Sequence, residues 1–125
     1  MTIVVAYADT PPGHAALRAA AREAVLRSEE VVVVPATTDL DPTAESLRAV
    51  LEGGEGPDAT GVSLEVRTSD LHDPADAVIQ VAQQVEASLI CLGLRRRSPV
   101  GKLLMGSTAQ RVLLDATCPV LAVKP

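Results

Sequence analysis

TIVVAYADTPPGHAALRAAAREAVLRSEEVVVVP, residues 2–35, sets the architecture. It opens on a β-rich aliphatic run, Thr2 to Tyr7, and closes on a second, Val31 to Val34. Pro11 and Pro12 open a helix between them, with Leu17, Ala20, Ala21, Ala24 and Ser28 on one face and Arg18, Arg22 and Glu29 pointing away. Runs that are aliphatic without interruption fit strands buried on both sides, and a helical crossover between two of them makes the pair parallel.

The rest of the chain repeats this arrangement. Val62 to Arg67 (VSLEVR), Leu89 to Leu92 (LICL) and Val120 to Val123 (VLAV) read as further strands. Asp41-Pro42 opens a short second helix that stops at Gly53-Gly54. Asp73-Pro74 opens a third, with Asp76 at its third position and a stripe of Val78, Ile79, Ala82 and Val85. Ser107 to Gln110 has capping-box spacing ahead of a fourth stripe, Ala109, Val112, Leu113 and Ala116. Strict alternation predicts an α/β fold: a three-layer, doubly wound parallel sheet with helices on both faces. Only VSLEVR alternates, with Ser63, Glu65 and Arg67 on one face, so it is the expected exposed edge. Residues 53–61, GGEGPDATG, form a Gly-rich and mobile connection. At 125 residues with no internal repeat, residues 1–125 are expected to form one domain.

Composition narrows the function. Apolar residues make up 47% of the chain, enough for a core, yet there is no Trp, no Phe and one Tyr. The aromatic platforms of a base-stacking nucleic-acid binder are missing. The net charge of −5 divides unevenly: residues 1–86 carry fifteen acids against five Lys/Arg, residues 87–125 one acid against six. A basic zone on an acidic protein suits a small anion better than a long polyanion. Cys91 and Cys118 lack metal or CxxC spacing and read as reduced, buried thiols of a cytoplasmic protein. No apolar run approaches the roughly 20 residues of a membrane span.

In an open parallel sheet, ligands bind beyond the strand carboxyl ends where the chain order reverses. Two segments compete for that place. One is the turn after the first strand, Ala8 to Gly13, which places Asp9 and Thr10 at the strand end; the other runs from Gly93 through Arg95, Arg96 and Arg97 to Gly106, Ser107 and Thr108. Glycines that admit a close phosphate, a helix start and three arginines favour an anion. The same residues also admit a plain reading as a strand end, a helix cap and a solvated loop. A Walker A site is absent, because Arg96 stands five before Gly101 and Leu103 follows Lys102, and GxGxxG is missing. His14 and His72 read as surface residues and Asp9 and Asp73 as caps, so no catalytic set and no metal site emerge.

The final third, CLGLRRRSPVGKLLMGSTAQRVLLDATCPVLAVKP, resembles the C-terminal signature of the universal stress protein family. That family's nucleotide pattern is Gly, two residues, Gly, nine residues, Gly, then Ser or Thr. Gly93, Gly106 and Ser107 occupy three of its four positions, and Cys118 to Val123 matches the strand that follows at all but one. The resemblance implies a sheet order of 3-2-1-4-5, adenine near Ala6, Ala8, Ala36 and Leu92, and phosphates near Gly93, Gly106, Ser107 and Thr108. Two departures stand out. Arg96 replaces the second glycine, and the Asp-Gly-Ser run after the first strand becomes Ala8-Asp9-Thr10.

These observations lead to a non-enzymatic stress-response domain that binds ATP as a regulatory ligand, with Arg95 or Arg96 on the phosphates. The rival is an interaction module of the same fold without nucleotide, favoured by Arg96 and Ala8; a slow ATPase, with Asp9 as its one candidate base, ranks third. The last strand, Val120 to Val123, is apolar on both faces and expected at a sheet edge, and the resemblance supplies its partner, a second copy in a homodimer.

Overall fold

β1 (Thr2–Tyr7), α1 (Pro11–Arg27) and β2 (Glu30–Pro35) build the parallel unit read from residues 2–35, in the register Val4 opposite Val32. The computed structural model describes residues 1–36, 42–53, 61–96, 103–104 and 106–125, the side chains of Arg96, Leu103 and Leu104 excepted. Within these, α2 (Ala44–Glu52), β3 (Leu64–Val66), α3 (Pro74–Gln84), β4 (Leu89–Gly93), β5 (Arg95–Arg96), β6 (Leu103–Leu104), α4 (Ser107–Asp115) and β7 (Val120–Val123) follow in turn. The main sheet is parallel, in the order β3-β2-β1-β4-β7. This is the expected 3-2-1-4-5, with β7 as the fifth strand.

Side chains alternate between two aliphatic layers because successive strand residues face opposite ways. Ile3, Val5, Tyr7, Val31, Val33 and Cys91 pack under Leu17, Ala20 and Ala24 of α1 and Leu47 of α2. Val4, Val32, Val34, Ile90 and Leu92 pack under Val78 and Val81 of α3 and Val112 of α4. Each fully buried Val, Leu or Ile contributes about 1.5–3 kcal/mol of transfer free energy, and alanines on α1 let that helix lie close to the sheet. β3 is one edge of the sheet, with Ser63, Glu65 and Arg67 exposed.

Several boundaries differ from expectation. Ser28 does not join the α1 stripe; it is exposed, closes the helix in the left-handed region at φ 55°, and donates its N–H to Ala24. Arg18 does not point away but donates from Nε and Nη2 to the Val50 carbonyl, both at 3.3 Å, tying α1 to α2. α2 begins later than Asp41-Pro42, because Thr43 and Ser46 form a reciprocal capping box. The third strand shrinks to three residues, paired among the described residues to β2 alone. Cys118 is half-buried rather than buried, while Cys91 is buried and its thiol is pushed up to about 12, by burial first and Glu23 second. Asp41 and residues 54–60 of the Gly-rich connection lie outside the described residues. Among the described residues no helix is long and apolar enough to cross a membrane.

Candidate functional site

Between β1 and β4 the chain order reverses, and the carboxyl ends of these strands open onto a cavity of about 320 Å³. Small side chains make the room. Ala6 and Ala8 line it from the end of β1, Ala36 from the end of β2, and Leu92 and Gly93 from β4. Ala36 is held by its N–H donating to the Tyr7 carbonyl at 2.7 Å. Thr10 borders the same cavity and is the N-cap of α1, its Oγ1 accepting from Gly13 N at 3.3 Å.

Two glycines set the frame by contact rather than by unusual dihedrals. A Cβ on Gly13 would lie 1.8 Å from the Ala8 carbonyl oxygen, and one on Gly93 2.2 Å from the Pro12 carbonyl oxygen. Gly93 is therefore explained by the backbone of α1 pressing on the end of β4, whereas the sequence reading assigned it to a phosphate. Pro12, Gly13 and Ala109 also line the cavity; the first two fall in the candidate turn Ala8 to Gly13, but sequence reasoning singled out none of the three as a contact. The available signal was Pro-Pro-Gly at the start of a helix, which does not say what the turn will touch.

The opposite wall is the start of α4. Ser107 and Thr108 line the cavity, and the N-cap is Gly106, extended at φ −67° and ψ 166°, with no side-chain capping bond. The expected capping box on Ser107 therefore does not form: Ser107 is the first helical residue, so its hydroxyl is one position too late. The backbone N–H groups of the first turn lack an intrahelical acceptor, and the helix dipole places positive potential at them. Arg95 lines the cavity too, with Nη2 only 3.1 Å from where a Gly106 Cβ would stand. No hydrogen bond or ion pair to a described residue engages its guanidinium.

Ten of the twelve predicted residues thus meet around one cavity; Asp9 does not line it, and the Arg96 side chain lies outside the described residues. Asp9 Oδ1 instead pairs with His14 Nε2 at 2.7 Å, accepting from the ring, and His14 stacks on Tyr7 with ring centroids 6.1 Å apart. His14 is accordingly a partnered residue rather than a plain surface one. The Tyr7 hydroxyl is raised above the usual phenol range, chiefly by burial, then by the Asp9 charge, against the pull of Arg18. Arg96 is in extended backbone, in β5 opposite Leu103 of β6, so its position does not call for a glycine-only conformation. Its side chain, and Arg97 to Lys102, lie outside the described residues.

The basic residue Arg111, one turn into α4, is fully committed elsewhere. It pairs with Asp73 at 3.2 Å, with Asp76, and with Asp115 at 3.8 Å. Its guanidinium pKa is raised, first by the hydrogen bond it donates to Asp76. Among the described residues no three His, Cys, Asp or Glu side chains gather to hold a metal ion.

This geometry has counterparts. The universal stress protein family matches residues 1–124. A universal stress protein of Mycolicibacterium smegmatis is 38% identical, covering 98% of this chain and 97% of its own. The structure of a universal stress protein from Archaeoglobus fulgidus shares 31% identity over 98% of this chain and 97% of its own, with a TM-score of 0.64. A structure of the universal stress protein from Archaeoglobus fulgidus in complex with dAMP shares 26% identity, covers 98% and 96%, and has a TM-score of 0.57.

Proposed function

The chain belongs to the universal stress protein family, and from that premise we propose that it is a non-catalytic stress-response domain that binds an adenine nucleotide, ATP, as a regulatory ligand. The observation that carries this reading is the uncapped start of α4, facing a cavity at the sheet's reversal point beside the Arg95 guanidinium. Phosphates there accept from the amides of the first turn and from Arg95, each charge-assisted bond contributing about 1.5–3 kcal/mol. The adenine rests on Ala6, Ala8, Ala36 and Leu92. The dAMP complex of the Archaeoglobus relative supports an adenine nucleotide of some kind, and the cationic rim supports the more highly charged ATP. Because Asp9 is engaged by His14, it is a poor candidate base, which favours binding over hydrolysis. Two free cysteines fit a reducing compartment, the cytoplasm.

A homodimer through β7 belongs to the same proposal. Among the described residues β7 pairs only with β4, and Leu121 is 37% exposed on it. A second copy meeting this edge makes a self-complementary contact. Light scattering is expected to return twice the 13.0 kDa chain mass, and Leu121→Asp to halve the particle.

Calorimetry with ATP tests the binding reading, with heat and saturation below millimolar concentration as the expected result. No heat up to millimolar ATP overturns it and leaves the interaction module, the reading that Ala8 and Arg96 favour. Arg96 separates the two further: if it contacts phosphate, Arg96→Ala weakens ATP about tenfold, or 1.4 kcal/mol, whereas a gain of affinity in Arg96→Gly identifies it as a block.

A further inference from the structure

A second cleft, of about 420 Å³, adjoins the α4 cavity and shares Thr10, Pro12 and Arg95 with it. Its other walls among the described residues are Pro11, the first residue of α1, and Pro125, beyond the end of β7. Nothing in the nucleotide reading occupies this space. Each cavity alone is near the bottom of the roughly 300–1,000 Å³ typical of ligand pockets, and the two together reach the middle of that range.

The chemistry of the walls differs sharply from that of the α4 cavity. Three proline rings present aliphatic C–H surface and no backbone N–H. They are rigid, so a ligand orders nothing on arrival. Among the described residues a phosphate finds only two side-chain donors there, Arg95 and the Thr10 hydroxyl. A planar, weakly polar ring, in contrast, finds flat aliphatic faces and one guanidinium plane, a surface on which aromatic rings stack. Arg95 borders both spaces: its N–H edge suits the phosphates and its face suits a ring beyond them.

We infer that the ligand carries a second base past its phosphates, so that the protein takes a dinucleoside polyphosphate with one nucleoside in the α4 cavity and the other against Pro11, Pro12, Pro125 and Arg95. The inference rests on the nucleotide reading above and deepens it. Joining two nucleosides through phosphates places a polyanion between two bases. That is the order in which the walls run: alanine floor, amides and Arg95, then prolines.

Calorimetry with three probes tests it: ATP, adenosine tetraphosphate and diadenosine tetraphosphate. The last two differ in the second nucleoside, so their ratio isolates the proline cleft from the effect of added phosphate. Stacking of one base predicts an advantage of about tenfold or more for the dinucleotide. The double variant Pro11→Ala/Pro125→Ala, which leaves the α4 cavity walls intact, is expected to reduce that advantage below about threefold without changing ATP affinity. Equal affinities for the two tetraphosphates overturn the inference while the nucleotide reading stands, as does an advantage that survives in the double variant. Absence of binding by all three probes defeats both readings together.

Discussion

α3 and α4 pack on the same face of the sheet, but their first turns are finished in opposite ways. At α3, Asp73 accepts from the amides of Ala75 at 2.8 Å and Asp76 at 3.3 Å, and Arg111 reaches across from α4 to Asp73 and Asp76. At α4, Gly106 offers no side chain, and the cation in reach, Arg95, adds to the positive end of the dipole instead of neutralising it. Donors already satisfied by the chain have nothing left for a ligand. Donors left open and lined with an arginine leave local stability unclaimed until an anion arrives. The difference teaches that the site is recognised less by the groups it contains than by the cap it omits.

The largest expected effect falls on the frame that holds the open turn in place. Gly13→Ala forces a methyl to 1.8 Å from a carbonyl oxygen that cannot rotate away; a loss of about 3 kcal/mol, the upper end of overpacking costs, is expected in a urea melt. Next is the transplant of one helix start onto the other. Gly106→Asp gives α4 the carboxylate that α3 has, so nucleotide affinity should fall on the order of a hundredfold while stability rises by about 0.5 kcal/mol. Calorimetry and denaturant melts on the same sample read both, and a fall in both would refute the trade.

Smaller effects separate the two arginines' surroundings. Arg95→Ala is expected to weaken ATP about tenfold and to leave the melting curve within about 0.5 kcal/mol of the parent. Asp73→Ala should do the reverse, costing about 1 kcal/mol of stability through the lost cap, with ATP titrations superimposable on the parent. Any loss of affinity in Asp73→Ala would mean that the closed end also serves the ligand.

What the residues disclosed before the structure follows the range of the forces involved. TIVVAY and VVVV announce buried parallel strands because each residue's environment is written in its own side chain, and the alternation of VSLEVR announces an edge. The alanine and glycine floor of the cavity was legible only through the family resemblance, which supplied both the strand order and the small residues beside its reversal point. Contacts between distant segments were not. Gly93 meets Pro12 across 81 residues, and Arg111 finds Asp76 across 35; neither pairing leaves a local pattern. Asp9 looked like a site residue by position, yet a histidine five residues on draws it off. The capping-box spacing of Ser107 was genuine, but spacing alone cannot say which residue adopts the extended cap conformation, and Gly106 took it. The two-residue ladder of β5 and β6 was missed, since arginine and leucine pairs carry no strand signature of their own.

Tyr7 gives the molecule a property unrelated to its own packing role. With no Trp or Phe in the chain, the one phenol ring is the dominant ultraviolet chromophore and the sole intrinsic fluorophore of use. It lies 3% exposed at the last position of β1, stacked on His14 and immediately before the turn that borders the cavity. Its emission therefore reports a single place without background, and stacking on an imidazole makes the intensity sensitive to how α1 begins. Occupancy, local opening of that helix start and global unfolding become three distinguishable optical states of one unlabelled residue.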